Sequence, residues 1–138
     1  MIISKLNAEG LDKAPIIEYG SPLLGTTSGP TKLNMAINVP EAQVGVEDFL
    51  PGEEMRWAFF YNEVHLVLEG KAEITYTLPA NPNKVFKAVA EKGDTCLIVC
   101  GTRATWKVIS KEPYRHYFVI MPRYNHEKWQ RNAAREEK

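Results

Sequence analysis

Glu63-Val64-His65-Leu66-Val67-Leu68-Glu69-Gly70-Lys71-Ala72-Glu73-Ile74-Thr75-Tyr76-Thr77-Leu78 is the stretch that decides the fold. In its second half Ala72, Ile74, Tyr76 and Leu78 share one face, and Lys71, Glu73, Thr75 and Thr77 the other. Such alternation marks a strand with one face buried. Glu63 to Leu68 is rich in apolar and β-branched residues and reads as another strand. Toward the N-terminus, Met55 to Tyr61, Gln43 to Leu50 and Leu33 to Val39 continue the pattern, punctuated by Pro51-Gly52 and Pro40. Toward the C-terminus, Pro79-Ala80-Asn81-Pro82-Asn83 reads as a turn. Val85 to Ala90, Thr95 to Cys100, Arg103 to Ile109 and Tyr114 to Met121 then follow as strands. About eight or nine short strands with frequent turns predict an all-β sandwich or closed barrel.

The ends differ. Residues 1–32 are rich in Gly, Pro, Ser and Thr and predict an irregular arm with short extended pieces, lying across the barrel or a neighbouring subunit. The barrel is expected over 33–122. Asn125 can cap a short helix in a tail spanning 123–138. The chain has 138 residues, 17 basic and 17 acidic, which bounds it to one domain with no basic excess for nucleic acid. No apolar run approaches the ~20 residues of a membrane span, and Met1-Ile2-Ile3-Ser4-Lys5, charged after three apolar residues, is not expected to be a signal peptide. A soluble, cytoplasmic protein is expected. Cys96 and Cys100 stand about 13 Å apart along one strand, too far for a disulfide, and read as buried thiols.

Two stretches say more. One holds Pro51-Gly52, Trp57-Ala58-Phe59-Phe60-Tyr61-Asn62-Glu63 and Glu69-Gly70; the other holds Gly93-Asp94 and Gly101-Thr102-Arg103-Ala104-Thr105-Trp106. Together they resemble the two motifs of the cupin superfamily, most closely its ureidoglycine aminohydrolase-like and ethanolamine-utilisation-like branch. The resemblance implies a cupin jelly-roll β-barrel. A standard cupin carries two histidines shortly before the motif Glu. Those places fall on Arg56 and Ala58, or on Trp57 and Phe59, depending on a one-residue bulge. The family's third histidine falls on Ala104. Of the usual ligands only Glu63 remains, so the expected cofactor is none. A rearranged Zn, Fe or Mn site on Glu63 and His65, with His116 or Tyr61, is the alternative.

If Glu63 points into the barrel, as the resemblance implies, strand alternation sends His65 there too, with Cα atoms roughly 6.5–7 Å apart. A carboxyl beside an imidazole is a candidate acid–base pair, and Glu63 and His65 are the candidate catalytic residues. Trp57, Phe59, Tyr61, Tyr76, Trp106 and His116 are the candidate lining of a pocket for a small organic molecule. Core filling is the competing role for the aromatics, and a buried polar pair without function the competing role for Glu63 and His65. Arg103, Arg115 and Arg123 read as surface residues, though one at a barrel mouth could pair with a substrate carboxylate. Val64, Leu66 and Leu68 give the opposite face of their strand an apolar character that needs cover by the second sheet or another subunit. Cupin-like barrels commonly pair, implying a homodimer. The reading is an isomerase, cyclase, lyase or hydrolase without the standard metal; a metabolite-binding module without catalysis is the alternative.

Overall fold

A computed structural model of the protein describes residues 1–21 and 26–121. A short 3-10 helix, Glu9–Lys13, precedes the strands β1 (Gly20–Ser21), β2 (Thr26–Thr27), β3 (Thr31–Val39), β4 (Ala42–Phe49), β5 (Glu54–Ala58) and β6 (Asn62–Glu69). These are followed by β7 (Lys71–Leu78), β8 (Asn81–Glu91), β9 (Thr95–Ile98), β10 (Arg103–Val108) and β11 (Tyr114–Met121). One sheet has the order β3-β4-β11-β6-β9 and the other β5-β10-β7-β8, with β1-β2 as a separate ribbon. All pairs are antiparallel. From β4 onward the chain crosses from one sheet to the other at nearly every connection, interrupted only by the β7–β8 hairpin. The result is an all-β jelly roll: the alternation predicts the all-β sandwich or barrel, and the family resemblance implies the jelly roll. The helix expected from Asn125 lies outside the described residues, and no described helix is long and apolar enough to cross a membrane.

Alternation becomes layering. On β7, Ala72 and Ile74 are buried while Lys71, Glu73 and Thr75 are exposed. Trp106 on β10 meets Met55 on β5 and Ile74 on β7 in register, and its ring packs on Phe49 at 5.5 Å and Phe59 at 5.7 Å across the gap between sheets. Each such burial is worth about 1.5–3 kcal/mol.

Three local expectations need correction. The turn after β7 is only Pro79-Ala80, because β8 already begins at Asn81. Pro82 is tolerated there since β8 is an edge strand and owes no amide to a further neighbour. Met55 to Tyr61 is not one strand: β5 stops at Ala58, and Phe59 donates its amide to Thr102 O while its carbonyl accepts from Gly101. Of the two thiols, Cys96 is half-buried and Cys100 exposed, because β9 ends at Ile98 before Cys100 can turn inward.

The arm is anchored along its length. Ile17 bridges Thr31, and Ser28 O accepts from the Arg56 amide on β5. Gly29, at φ +96°, lies so close to the Glu54 carbonyl that no Cβ fits. Leu11, fully buried, belongs to the short helix, which lies against β3 and β4. Arg115, expected at the surface, instead forks onto Asp48 (2.9 and 2.8 Å) and reaches Asp12 at 2.8 Å, so it ties arm to sheet. Asp48→Ala leaves this mostly buried guanidinium with Asp12 alone. A loss of roughly 2–3 kcal/mol is expected in urea unfolding; a loss under ~0.5 kcal/mol contradicts the tie.

Candidate functional site

The two sheets enclose a cavity of about 530 Å³ that is partly open to solvent. Met55, Trp57 and Trp106 reach it from the four-stranded sheet, Phe59 and Tyr61 from the following bend, and Glu47, Phe49, Glu63, Phe118 and Ile120 from the five-stranded sheet. Glu18, Tyr19 and Gly20 of the arm close part of its rim. Register explains the convergence. Glu63 sits opposite Ile120, His65 opposite Phe118, and His116 opposite Glu47, so inward positions of β6, β11 and β4 fall side by side.

The polar floor consists of two carboxyl–imidazole pairs set back to back. Glu63 Oε2 lies 2.6 Å from His65 Nε2, with both side chains buried. His65 and His116 then stack, ring centroids 4.1 Å apart and tilted by 31°. His116 Nε2 lies 3.2 Å from Glu47 Oε1, and its Nδ1 lies 3.2 Å from the Tyr114 carbonyl. A carbonyl only accepts, so Nδ1 donates and carries a proton. The contact of Nε2 with Glu47 then needs one further proton shared between ring and carboxyl.

The first pair is electrostatically different. Burial pushes the Glu63 carboxyl up to about 8, with Glu47 adding to the rise and His116 opposing it. Burial, helped by His116, holds His65 well below its ordinary value. At neutral pH Glu63 is therefore a carboxylic acid donating to Nε2 of a neutral ring. The remaining ring proton sits on Nδ1, which finds no hydrogen-bond partner among the described residues. The Glu63 oxygen not bonded to His65 is the one left for a ligand. One neutral acid and one shared-proton pair, held apart in protonation by their surroundings, is an arrangement suited to moving protons.

Above this floor the walls are aromatic. Trp57 Nε1 donates to Tyr61 Oη at 2.9 Å, and Tyr19 packs edge-on against Trp57 at 5.9 Å. Ser28 fixes Tyr19 by accepting its amide at 2.9 Å on Oγ while donating its own amide to the Tyr19 carbonyl. Burial raises the Tyr19 phenol, with Glu47 and Glu63 adding to the rise.

Of the residues chosen from sequence, Glu63, Trp57, Phe59, Tyr61 and Trp106 line the cavity, and His65 and His116 stand directly behind its carboxyls. His116 is thus corrected from pocket lining to a buried supporting ring. Tyr76 is corrected too: near the end of β7 its ring stacks on Phe86 at 5.4 Å, and it does not line the cavity. Glu47 and Tyr19 are among the lining residues that escape a reading of the sequence. Glu47 shares β4 with Gly45 and Asp48, and this Gly-interrupted pattern hides which face is inward. Tyr19 lies in a Gly/Pro arm with no periodicity to read.

Comparison with known proteins returned no matching protein-family model and no matching curated protein. Solved structures do match. An RmlC-like cupin family protein with a double-stranded beta-helix fold from Methanocaldococcus jannaschii superposes with TM-score 0.56 at 12% identity, over 67% of this chain and 81% of that one. The chain has the cupin fold. The EutQ protein of Clostridium difficile matches at TM-score 0.54 and 18% identity over 69% and 70% of the two chains. A protein of unknown function from Rhizobium leguminosarum matches at 0.60 and 16% over 88% and 97%. These likenesses establish the fold and single out no branch of the cupins.

Of the two alternative pairs for the family's histidine places, Trp57 and Phe59 line the cavity, whereas Arg56 is exposed. Ala104 pairs with Trp57 across β5 and β10. None of Trp57, Phe59 and Ala104 offers a metal-ligating atom. Glu63 and His65 spend their facing atoms on each other, and both nitrogens of His116 face other partners. Among the described residues no three His, Cys, Asp or Glu side chains gather to hold an ion. The residues present do not fit the divalent centre usual for a cupin, or its rearrangement onto Glu63 and His65.

Proposed function

We propose that this cupin-fold chain is a small-molecule enzyme that works by proton transfer, of isomerase, cyclase, lyase or hydrolase type, without the usual metal centre. The observation that carries the reading is the 2.6 Å Glu63–His65 contact at the wall of an aromatic cavity. Glu63 serves as general acid by turning its O–H from His65 Nε2 to the ligand, and His65 holds and orients that proton in the resting site. Glu47, backed by His116, is the complementary acceptor on the same wall. Cavity size supports a small ligand, since such sites are usually about 300–1,000 Å³. Two free cysteines suit a reducing compartment such as the cytoplasm.

Proton transfer can be followed without naming the substrate in advance. Wild-type protein is incubated with a panel of small polar metabolites in D₂O, and deuterium incorporation or product formation is followed by NMR. At least one metabolite is expected to exchange or react, and Glu63→Gln to stop it. Binding of panel members with neither exchange nor product contradicts catalysis and leaves the metabolite-binding module.

A homodimer is proposed on a separate observation. The second sheet packs on the inner face of β6, so it does not cover Leu66, and Leu66 and Leu97 remain 41% and 68% exposed beside the half-buried Val64 and Val119. A partner barrel laid on this face would remove them from water. Light scattering is expected to give twice the chain mass for the wild type and the single chain mass for Leu97→Glu. A monomeric wild type contradicts the pairing.

A further inference from the structure

The charge of the cavity lining is one-sided. Among the described residues that line it, Glu18, Glu47 and Glu63 carry the ionisable carboxyls, and no Lys or Arg is present. An anionic ligand would find no Lys or Arg in this lining to pair with, and burying an unpaired charge is strongly unfavourable. The neutral donors are mostly committed within the protein. The Trp57 indole N–H is spent on Tyr61, so Trp57 presents its ring to the cavity. Tyr19, seated edge-on against Trp57 and pinned by Ser28, adds a second ring at the rim. Phe59, edge-on to Tyr61 at 5.9 Å, extends the aromatic wall inward. Aromatic faces attract cations through their quadrupole, Trp most strongly.

We propose that the cavity takes an organic cation, a small molecule bearing an ammonium or quaternary ammonium group, set against the rings of Trp57, Tyr19 and Tyr61 and facing the carboxyls of Glu47 and Glu63. This rests on reading the cavity as the ligand site and names the class of molecule that enters it. The positive group would lie against aromatic faces and carboxyl oxygens, with no Lys or Arg in the lining to repel it. A quaternary ammonium needs no hydrogen-bond acceptors, and the flat walls leave few to offer. The same wall rejects carboxylates and phosphates, which most small-molecule sites hold with Arg or Lys.

Three isosteres of one shape test this on the full chain, read by tryptophan fluorescence and calorimetry. They are choline (cation), 3,3-dimethylbutan-1-ol (neutral) and 3,3-dimethylbutanoate (anion). Choline is expected to bind at least about tenfold more tightly than the neutral alcohol, and the anion not to bind. Trp57→Leu is expected to weaken choline by about tenfold or more, and Glu47→Gln to narrow the gap between cation and alcohol. Equal binding of cation and alcohol, tighter binding of the anion, or no binding of any of the three at millimolar concentration overturns the proposal. The two readings fail separately. Choline binding without any metabolite being transformed upholds the cation site and removes the enzyme. Glu63-dependent turnover confined to neutral or anionic metabolites does the reverse.

Discussion

Glu63→Gln is expected to lower turnover of whichever metabolite the chain transforms by about 10²–10⁴-fold, the usual contribution of a positioned general acid. Gln keeps the shape of Glu63 and can still reach His65 Nε2, 2.6 Å away in the wild type, so fold and pocket are preserved. What it lacks is a proton to release. The loss therefore falls on kcat rather than on KM, the mark of an interaction made in the transition state. Wild-type rate should also fall as pH rises through about 8, where the carboxyl gives up its proton. A variant with unchanged rate, or a wild-type rate flat across that range, contradicts the assignment.

The same burial imposes a pH dependence on folding. In the folded chain Glu63 stays protonated to about 8, but unfolded it titrates near 4.5, so stability falls as pH rises through that window. His65, held neutral when folded, gains a proton on unfolding below about 6.5, so its contribution falls in the opposite direction, as pH drops. Only the carboxyl slope remains between roughly 6.5 and 8.

Trp106→Ala carries the largest expected stability change, about 3–5 kcal/mol. Trp106 is 2% exposed and stands at the centre of the inter-sheet layer, against Phe49, Phe59 and the His65 ring at 5.8 Å. Both β-sheets lose contacts together, and the void borders the cavity, where relaxation is partial. Urea unfolding measures it directly through the shift in midpoint at constant slope. A loss below ~1 kcal/mol would mean the layer closes without Trp106.

What the sequence makes legible follows from periodicity. β7 can be read residue by residue because one face is apolar and the other polar, and the two-residue repeat leaves a single solution. β6 can be read for the same reason once Glu63 is assigned inward, which brings His65 with it. β4 resists. Its inward face carries Gly45 and Glu47 while outward-facing Val46 is fully buried, so polarity no longer reports orientation. His116 can be placed on a face with Phe118 but not given its partner, because Glu47 lies 69 residues away and meets it only through strand pairing. Tyr19 depends on hydrogen bonds from Ser28 and a glycine at positive φ, which local composition announces only as irregular chain. Tyr76 errs for the opposite reason. Alternation gives the correct face, but not the distance along the strand at which the cavity ends.

Central to the proposed chemistry is a neutral carboxylic acid held by a neutral imidazole at the cavity wall. Titration of Glu63 by NMR in protein labelled with ¹³C at the glutamate side-chain carboxyl, assigned against Glu63→Gln, measures it without any substrate. A midpoint of about 8 is expected. A midpoint near the ordinary 4.5 would show a carboxylate in contact with solvent and would contradict the neutral acid.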